Sequence, residues 1–203
     1  IAMLSIGRGV ERAITSQITS MGTNLLFVSP GSSSSGGVRS AQGSAGTLTL
    51  DDAEALADAS SVVAVAPQAS TFGQVVYMGN NINVQVSGIT AAYETVRNMP
   101  VETGDFLTDQ NVSAKSTVAV IGASVSETLF EGEDPLDKTI RINGVNFKVI
   151  GVLKAKGGTS AGITDYQILI PLTTLQSRLS ATNRFRGAST ISTINVQITS
   201  SKV

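Results

Sequence analysis

The dipeptide Asn143-Gly144, set between two segments of alternating apolar and polar residues (139–142 and 145–153), constrains this chain more than any other feature. A two-residue hairpin loop needs positive φ at both positions to match the twist of its strands, and Asn-Gly accepts that at least cost. Residues 139–153 are therefore predicted to form an antiparallel hairpin. Residues 72–78 and 82–87 repeat the pattern around Asn80-Asn81, with Val75, Tyr77, Ile82, Val84 and Val86 alternating with polar neighbours, which predicts a second hairpin turning there. Further strands are predicted at 24–29, 62–66, 118–121, 167–170 and 191–198.

Helical signals lie between these strands. Thr49 can cap a helix running to about Ala59, with Asp51, Asp52 and Glu54 at the positive end of its dipole. Residues 91–97 and 172–179 read as short helices, and Ser124-Val125-Ser126-Glu127 as a capping box opening a helix through Phe130. Residues 30–46 contain Ser32 to Ser35 followed by Gly36 and Gly37, a stretch too polar to repay its ordering entropy, and are expected to form a mobile loop. Residues 100–110 and 157–162 also read as loops. The succession of a βαβ unit, several hairpins with one helix, and a lone final strand predicts an α+β fold, with one compact insert between the parts of a split lobe.

Residues 1–21 read as a helix in which Ile6, Val10, Ile14 and Ile18 recur every fourth position, with Arg8, Glu11, Arg12 and Gln17 on other faces. No Ser, Thr, Asp or Asn precedes the opening Ile-Ala-Met-Leu, although Ser5 can cap a shorter helix. Two readings stand: a helix continuing from something upstream, or a frayed apolar terminus.

The chain has 203 residues and contains no histidine, cysteine or tryptophan, which removes Ser-His-Asp and Cys-His nucleophile systems, imidazole and thiolate metal sites, and disulfides. With 14 basic and 15 acidic residues the net charge is -1, which argues against nucleic-acid binding. Gly158-Thr159-Ser160-Ala161-Gly162 matches the G-x-S-x-G nucleophile elbow, but there is no histidine to take the serine proton. Glu131, Glu133 and Asp134, and separately Asp105, Asp109 and Asn111, are oxygen-rich but lack the spacing of a calcium loop, so solvated turn carboxylates are the expected reading. A glycosidase-like carboxylate pair stays open, although nine aromatics supply a sugar-stacking cleft poorly. Arg184, Phe185 and Arg186 form a candidate partner-contact segment, beside the plainer reading of a solvated loop with one anchoring aromatic.

Taken in order, Gly7-Arg8-Gly9, residues 18–31 (ITSMGTNLLFVSPG), 50–56 (LDDAEAL), Val65-Ala66-Pro67, 99–107 (MPVETGDFL), 118–130 (VAVIGASVSETLF) and 135–154 (PLDKTIRINGVNFKVIGVLK) resemble the extracytoplasmic core domain of MacB-like ABC transporter permeases. The resemblance implies a stalk helix at 1–21 continuing from a membrane span, a porter-like lobe at 22–71 and 189–203, and a strand-rich Sabre-like lobe at 72–188. It implies a chain cut at both ends, with the porter-like lobe incomplete. It also implies a non-enzymatic extracytoplasmic domain in the cell membrane, dimeric in the full permease, with no cofactor of its own because ATP is bound by a separate cytoplasmic domain or subunit. A membrane-fusion adaptor is an implied partner. Ile6, Val10, Ile14 and Ile18 would then transmit motion from the membrane for export or extraction of an antibiotic, peptide or lipoprotein. The rivals are a secreted hydrolase using a carboxylate pair and an FtsX-like regulator of cell-wall hydrolases.

Overall fold

One long strand organises the structure, a computed structural model that describes residues 24–31, 34–35, 38–39, 46–156, 164–179, 184–185 and 188–199. In chain order the elements are β1 (Leu25–Val28), β2 (Ser34–Ser35), β3 (Val38–Arg39), α1 (Leu50–Ala57), β4 (Val62–Tyr77), β5 (Asn80–Ile89), α2 (Tyr93–Val96), β6 (Val101–Gly104) and α3 (Asp109–Ser113). They continue with β7 (Val118–Ile121), α4 (Ala123–Phe130), β8 (Thr139–Ile142), β9 (Val145–Leu153), β10 (Gln167–Pro171) and α5 (Leu172–Thr174), which runs on as a π-helical turn, Leu175–Leu179. The last are β11 (Arg184–Phe185), β12 (Ala188–Ser189) and β13 (Thr193–Ile198). The mixed α+β class expected from the sequence is what the chain adopts.

β4 joins what the sequence reads as two strands, 62–66 and 72–78, and runs unbroken through residues 71 and 72, where that reading draws its lobe boundary. Pro67 looks like a terminator but costs nothing here. The Gln68 carbonyl accepts from Ser192 N–H on the β13 side, so the nitrogen of residue 67 faces the opposite edge, where pairing with β5 stops at Gln68↔Ile89.

The main sheet has nine strands in the path β1-β13-β4-β5-β10-β7-β9-β6, with β8 pairing both β4 and β9. Followed through β8, the pairings β4-β5-β10-β7-β9-β8-β4 close on themselves into a ring of strands. Alternation then sorts the apolar residues onto two faces. Val75, Val84, Val86, Ile121, Ile140, Ile142, Phe147, Ile168 and Ile170 form one core with Val125, Leu129 and Phe130 of α4. Ala66, Ile89, Val120 and Leu169 face the other way, under Tyr93 and Val96 of α2. β10 is paired on both edges and covered on both faces, which is why QILIP is buried at every position. A Cβ on Gly88 would lie 2.7 Å from Leu175 Cβ and 3.1 Å from Leu172 Cα, so the absence of a side chain there lets α5 approach β5.

Both hairpins form. Asn143 (φ 45°) and Gly144 (φ 86°) make the turn read from the sequence, closing Ile142↔Val145. The other hairpin turns at Met78 (φ 44°) and Gly79 (φ 100°), not at Asn80-Asn81, because Gly79 relieves the second positive φ while Asn80 enters β5 opposite Tyr77. Asn80 instead ties β5 to the end of α4, its Nδ2 donating to Leu129 O and Glu131 Oε1 at 3.2 Å each. Asn143 also closes the ring. Its N–H donates to Gln74 O and its Oδ1 accepts from Gln74 N–H, both at 2.9 Å.

Three local expectations are corrected. Part of the 100–110 loop is β6, paired with β9, followed by the start of α3. The Ser124 capping box is not used, because α4 starts two residues earlier, with Gly122 as its N-cap. There Gly122 N–H donates to Gln167 O at 2.9 Å and Ser124 N–H to Asp165 O at 3.1 Å, so tertiary carbonyls replace the serine side chain. At the other end the final strand starts at Thr193 rather than residue 191. α1 begins at the expected Thr49, whose N–H and hydroxyl both donate to Asp52 Oδ2, at 2.8 and 2.9 Å. The described chain enters β1 and leaves β13 side by side, with Ile198 N–H donating to Asn24 O at 3.0 Å. The stalk positions Ile6, Val10, Ile14 and Ile18 lie outside the described residues.

Asn143→Ala should lose both the left-handed backbone preference and the bond to Gln74, about 2 kcal/mol in all, whereas Asn143→Gly should lose only the bond, about 1 kcal/mol. Thermal unfolding should rank wild type above Gly above Ala, with roughly 2–4 °C per kcal/mol for a domain of this size. The two Thr49 hydrogen bonds hold the Asp52 carboxyl below the usual carboxylate range, so its contribution is present above the unfolded value and lost as pH falls through the folded one. Asp52→Asn should therefore lower the melting temperature at neutral pH, and the difference should shrink as the pH falls from the ordinary carboxylate range through the lower folded-state value.

Candidate functional site

The register of the central strands assembles a polar cleft on the face opposite the larger core. Phe27↔Asn195, Thr193↔Gln68 and Gln85↔Gln167 are directly opposed pairs, so β1, β13, β4, β5 and β10 all point polar or aromatic side chains to the same side. α2 supplies Tyr93 and, at its C-cap, Arg97, four residues apart on one side of the turn. Together with Thr164 these residues line a cleft of about 200 Å³.

Hydrogen bonds hold its walls. Gln68 Nε2 donates to Ser70 Oγ and Ser87 Oγ, both at 3.1 Å, and the two hydroxyls are 3.2 Å apart. Buried Asn195 donates from Nδ2 to Ala66 O at 3.0 Å. The Arg97 guanidinium lies 4.9 Å above the centroid of the Phe27 ring, a cation–π distance. Arg97 Nε is shut off from solvent and has no hydrogen-bond partner among the described residues. Burial pushes the Tyr93 phenol up, and the charge and hydrogen bond of Arg97 pull it partly back.

A second cation stands behind the first. Lys156 Nζ donates to the Arg97 carbonyl at 3.1 Å, and Lys156 N–H donates to Oδ1 of buried Asp165 at 3.0 Å. Burial, then repulsion from Arg97, lowers the Lys156 ammonium below the usual lysine range, against the pull of Asp165. The cleft lining thus holds one cation, four side-chain amides and three hydroxyl residues, and no carboxylate. Its chemistry is charge and hydrogen bonding, with no acid–base pair facing a nucleophile.

The residues singled out from the sequence lie elsewhere. Asp105, Asp109, Glu131, Glu133 and Asp134 are exposed, and Asn111 and Asp134 are occupied locally, accepting from Thr108 and from Leu136 N–H. Among the described residues no cluster of three or more acidic groups is placed to hold a metal. Arg184 and Phe185 form β11, paired with β12 through Arg184↔Ser189 and Phe185↔Ala188. Arg186 and Ser160 lie outside the described residues. Sequence reasoning missed Arg97, Gln68, Gln85, Gln167 and Asn195. The one available signal was the polar phase of β4 and β5 (Gln68, Ser70; Gln85, Ser87), which looks like any solvated sheet face until the register is known.

The sequence profile of the MacB-like periplasmic core domain matches residues 1–202. A macrolide export ATP-binding/permease protein MacB from Bdellovibrio bacteriovorus is 36% identical over 184 residues, 90% of this chain and 28% of the relative. The MacB of Rhodospirillum rubrum is 39% identical over 183 residues, 89% of this chain and 28% of the relative. The chain therefore spans little more than a quarter of the length of the curated relatives it matches. The crystal structure of the periplasmic region of MacB from Actinobacillus actinomycetemcomitans superposes with a TM-score of 0.74 at 27% identity, covering 92% of this chain and 79% of that one. The extracellular domain of the ABC-type transporter YknZ from Gram-positive bacteria shares the fold, with a TM-score of 0.65 at 23% identity over 77% of this chain and 76% of that one. Its sequence, matched over nearly every residue, and its arrangement of strands place the chain in the MacB-like periplasmic core domain family.

Proposed function

We infer that this chain is the extracytoplasmic part of a MacB-type permease, a non-catalytic body that converts ATP hydrolysis on the far side of the membrane into movement outside it. The observation that carries this reading is the family match across residues 1–202, which includes the periodic apolar segment holding Ile6, Val10, Ile14 and Ile18. No described helix is long and apolar enough to cross a membrane, so anchoring falls to parts of the protein beyond these elements. The nucleotide is bound by a separate domain or subunit, in keeping with relatives named as ATP-binding/permease proteins. Two copies face each other in the working permease, with an adaptor protein as a further partner, and the transported molecule is an antibiotic, peptide or lipoprotein.

Residues 1–21 are proposed as the stalk, 22–71 with 189–203 as a porter-like lobe, and 72–188 as a Sabre-like lobe. A stalk transmits displacement only if it is stiff, and a proline in a helix interior costs about 3 kcal/mol and kinks the rod. In the full-length permease Ile14→Pro should abolish export while ATP hydrolysis continues, and Ile14→Leu should leave both in place. Transport assays on cells expressing each variant, paired with ATPase assays on the purified proteins, check this. Undiminished export by the proline variant would remove the stalk from the mechanism.

A further inference from the structure

The composition of the cleft beside Arg97 identifies what it takes. We propose that it binds a small carboxylate, held by the Arg97 guanidinium and oriented by the side-chain amides around it. Arg97 is the one charged residue among those lining the cleft. Behind it stands Lys156, whose ammonium donates to the Arg97 carbonyl at 3.1 Å, so a second positive charge lies close to the first. Burial is the main cause of the lowered Lys156 ammonium, and repulsion from Arg97 is the second.

Arg97 is also fixed in place before any ligand arrives. Phe27 lies under its guanidinium, the short helix that begins at Tyr93 carries it as C-cap, and Lys156 holds its carbonyl. Preorganisation of this kind removes much of the rotamer entropy an arginine loses on pairing with a carboxylate. Around it, the amides of Gln85 and Gln167 make no hydrogen bond among the described residues, although Gln167 is buried. Each offers both a donor and an acceptor to the cleft. A volume of 200 Å³ corresponds to about seven waters, room for a carboxylate on a small polar body rather than a large apolar molecule. A free organic acid and the C-terminal residue of a peptide share this chemistry.

The test is NMR on the isotope-labelled chain. N-acetylglycine should shift the Arg97 Nε–H resonance and the side-chain amides of Gln85 and Gln167 saturably, whereas N-acetylglycinamide, the same body without the charge, should bind at least about tenfold more weakly, as expected for loss of a charge-assisted pair. Arg97→Gln should abolish the acid's effect. Should that variant unfold, Gln85→Leu, on the cleft wall and away from the cation, should weaken the acid by a smaller factor in a folded protein. N-acetyl-tetraglycine with a free C-terminus separates the sources: binding equal to N-acetylglycine assigns the site to peptide ends, and exclusion assigns it to free acids. Equal response to acid and amide, shifts that never saturate, or persistence of the acid's effect in folded Arg97→Gln would overturn the proposal.

Discussion

Backbone pairing along β4 is the constraint on which the rest depends. Residues 62–68 pair with β13, 68–77 with β5, and Val75 and Val76 with β8, so one strand belongs both to the sheet that continues into β1 and to the ring of strands around the larger core. Because register fixes which face each side chain takes, the same pairing puts Val75 into the core and Gln68, bonded to Ser70, into the polar cleft. A slip of one residue would exchange the two sets, burying amides and exposing valines, and burial of unpaired amides is the costlier half of that exchange.

What was legible in the sequence follows from how local each signal is. Asn143-Gly144 is a complete instruction, since both positive φ values are supplied by the residues themselves. Asn80-Asn81 misleads because an asparagine pair resembles a turn, whereas the usable glycine sits at 79 and Met78 is carried into the left-handed region by the pairing on either side. The merged β4 and the early start of α4 are set by partners far away in sequence, the β5 edge for Pro67 and the Gln167 and Asp165 carbonyls for Gly122 and Ser124. The family could be read from segments in order, because each keeps its own residues together. The cleft could not be read at all. Phe27, Gln68, Gln85, Arg97, Gln167 and Asn195 come from six separate elements or their caps, and none carries a local pattern that sets it apart.

The chain belongs to the family of MacB-like periplasmic core domains, and its two sheet faces differ sharply in character. The polar side chains of the cleft lie on one face of a sheet whose other face is packed against α1, α4 and the ring interior. Arg97 lies where those two features meet. Its short helix covers the second apolar cluster through Tyr93 and Val96, while its guanidinium is held over Phe27 of the edge strand β1.

The adjacency of Asn24 and Ile198 decides how this body answers to tension. Antiparallel neighbours tugged away from each other at the same end separate like a zip, one rung after another, under little force. Tugged together, they move as a unit and hand the strain to β4, where many rungs share it. The molecule is therefore firm toward a common pull and yielding toward a splitting one.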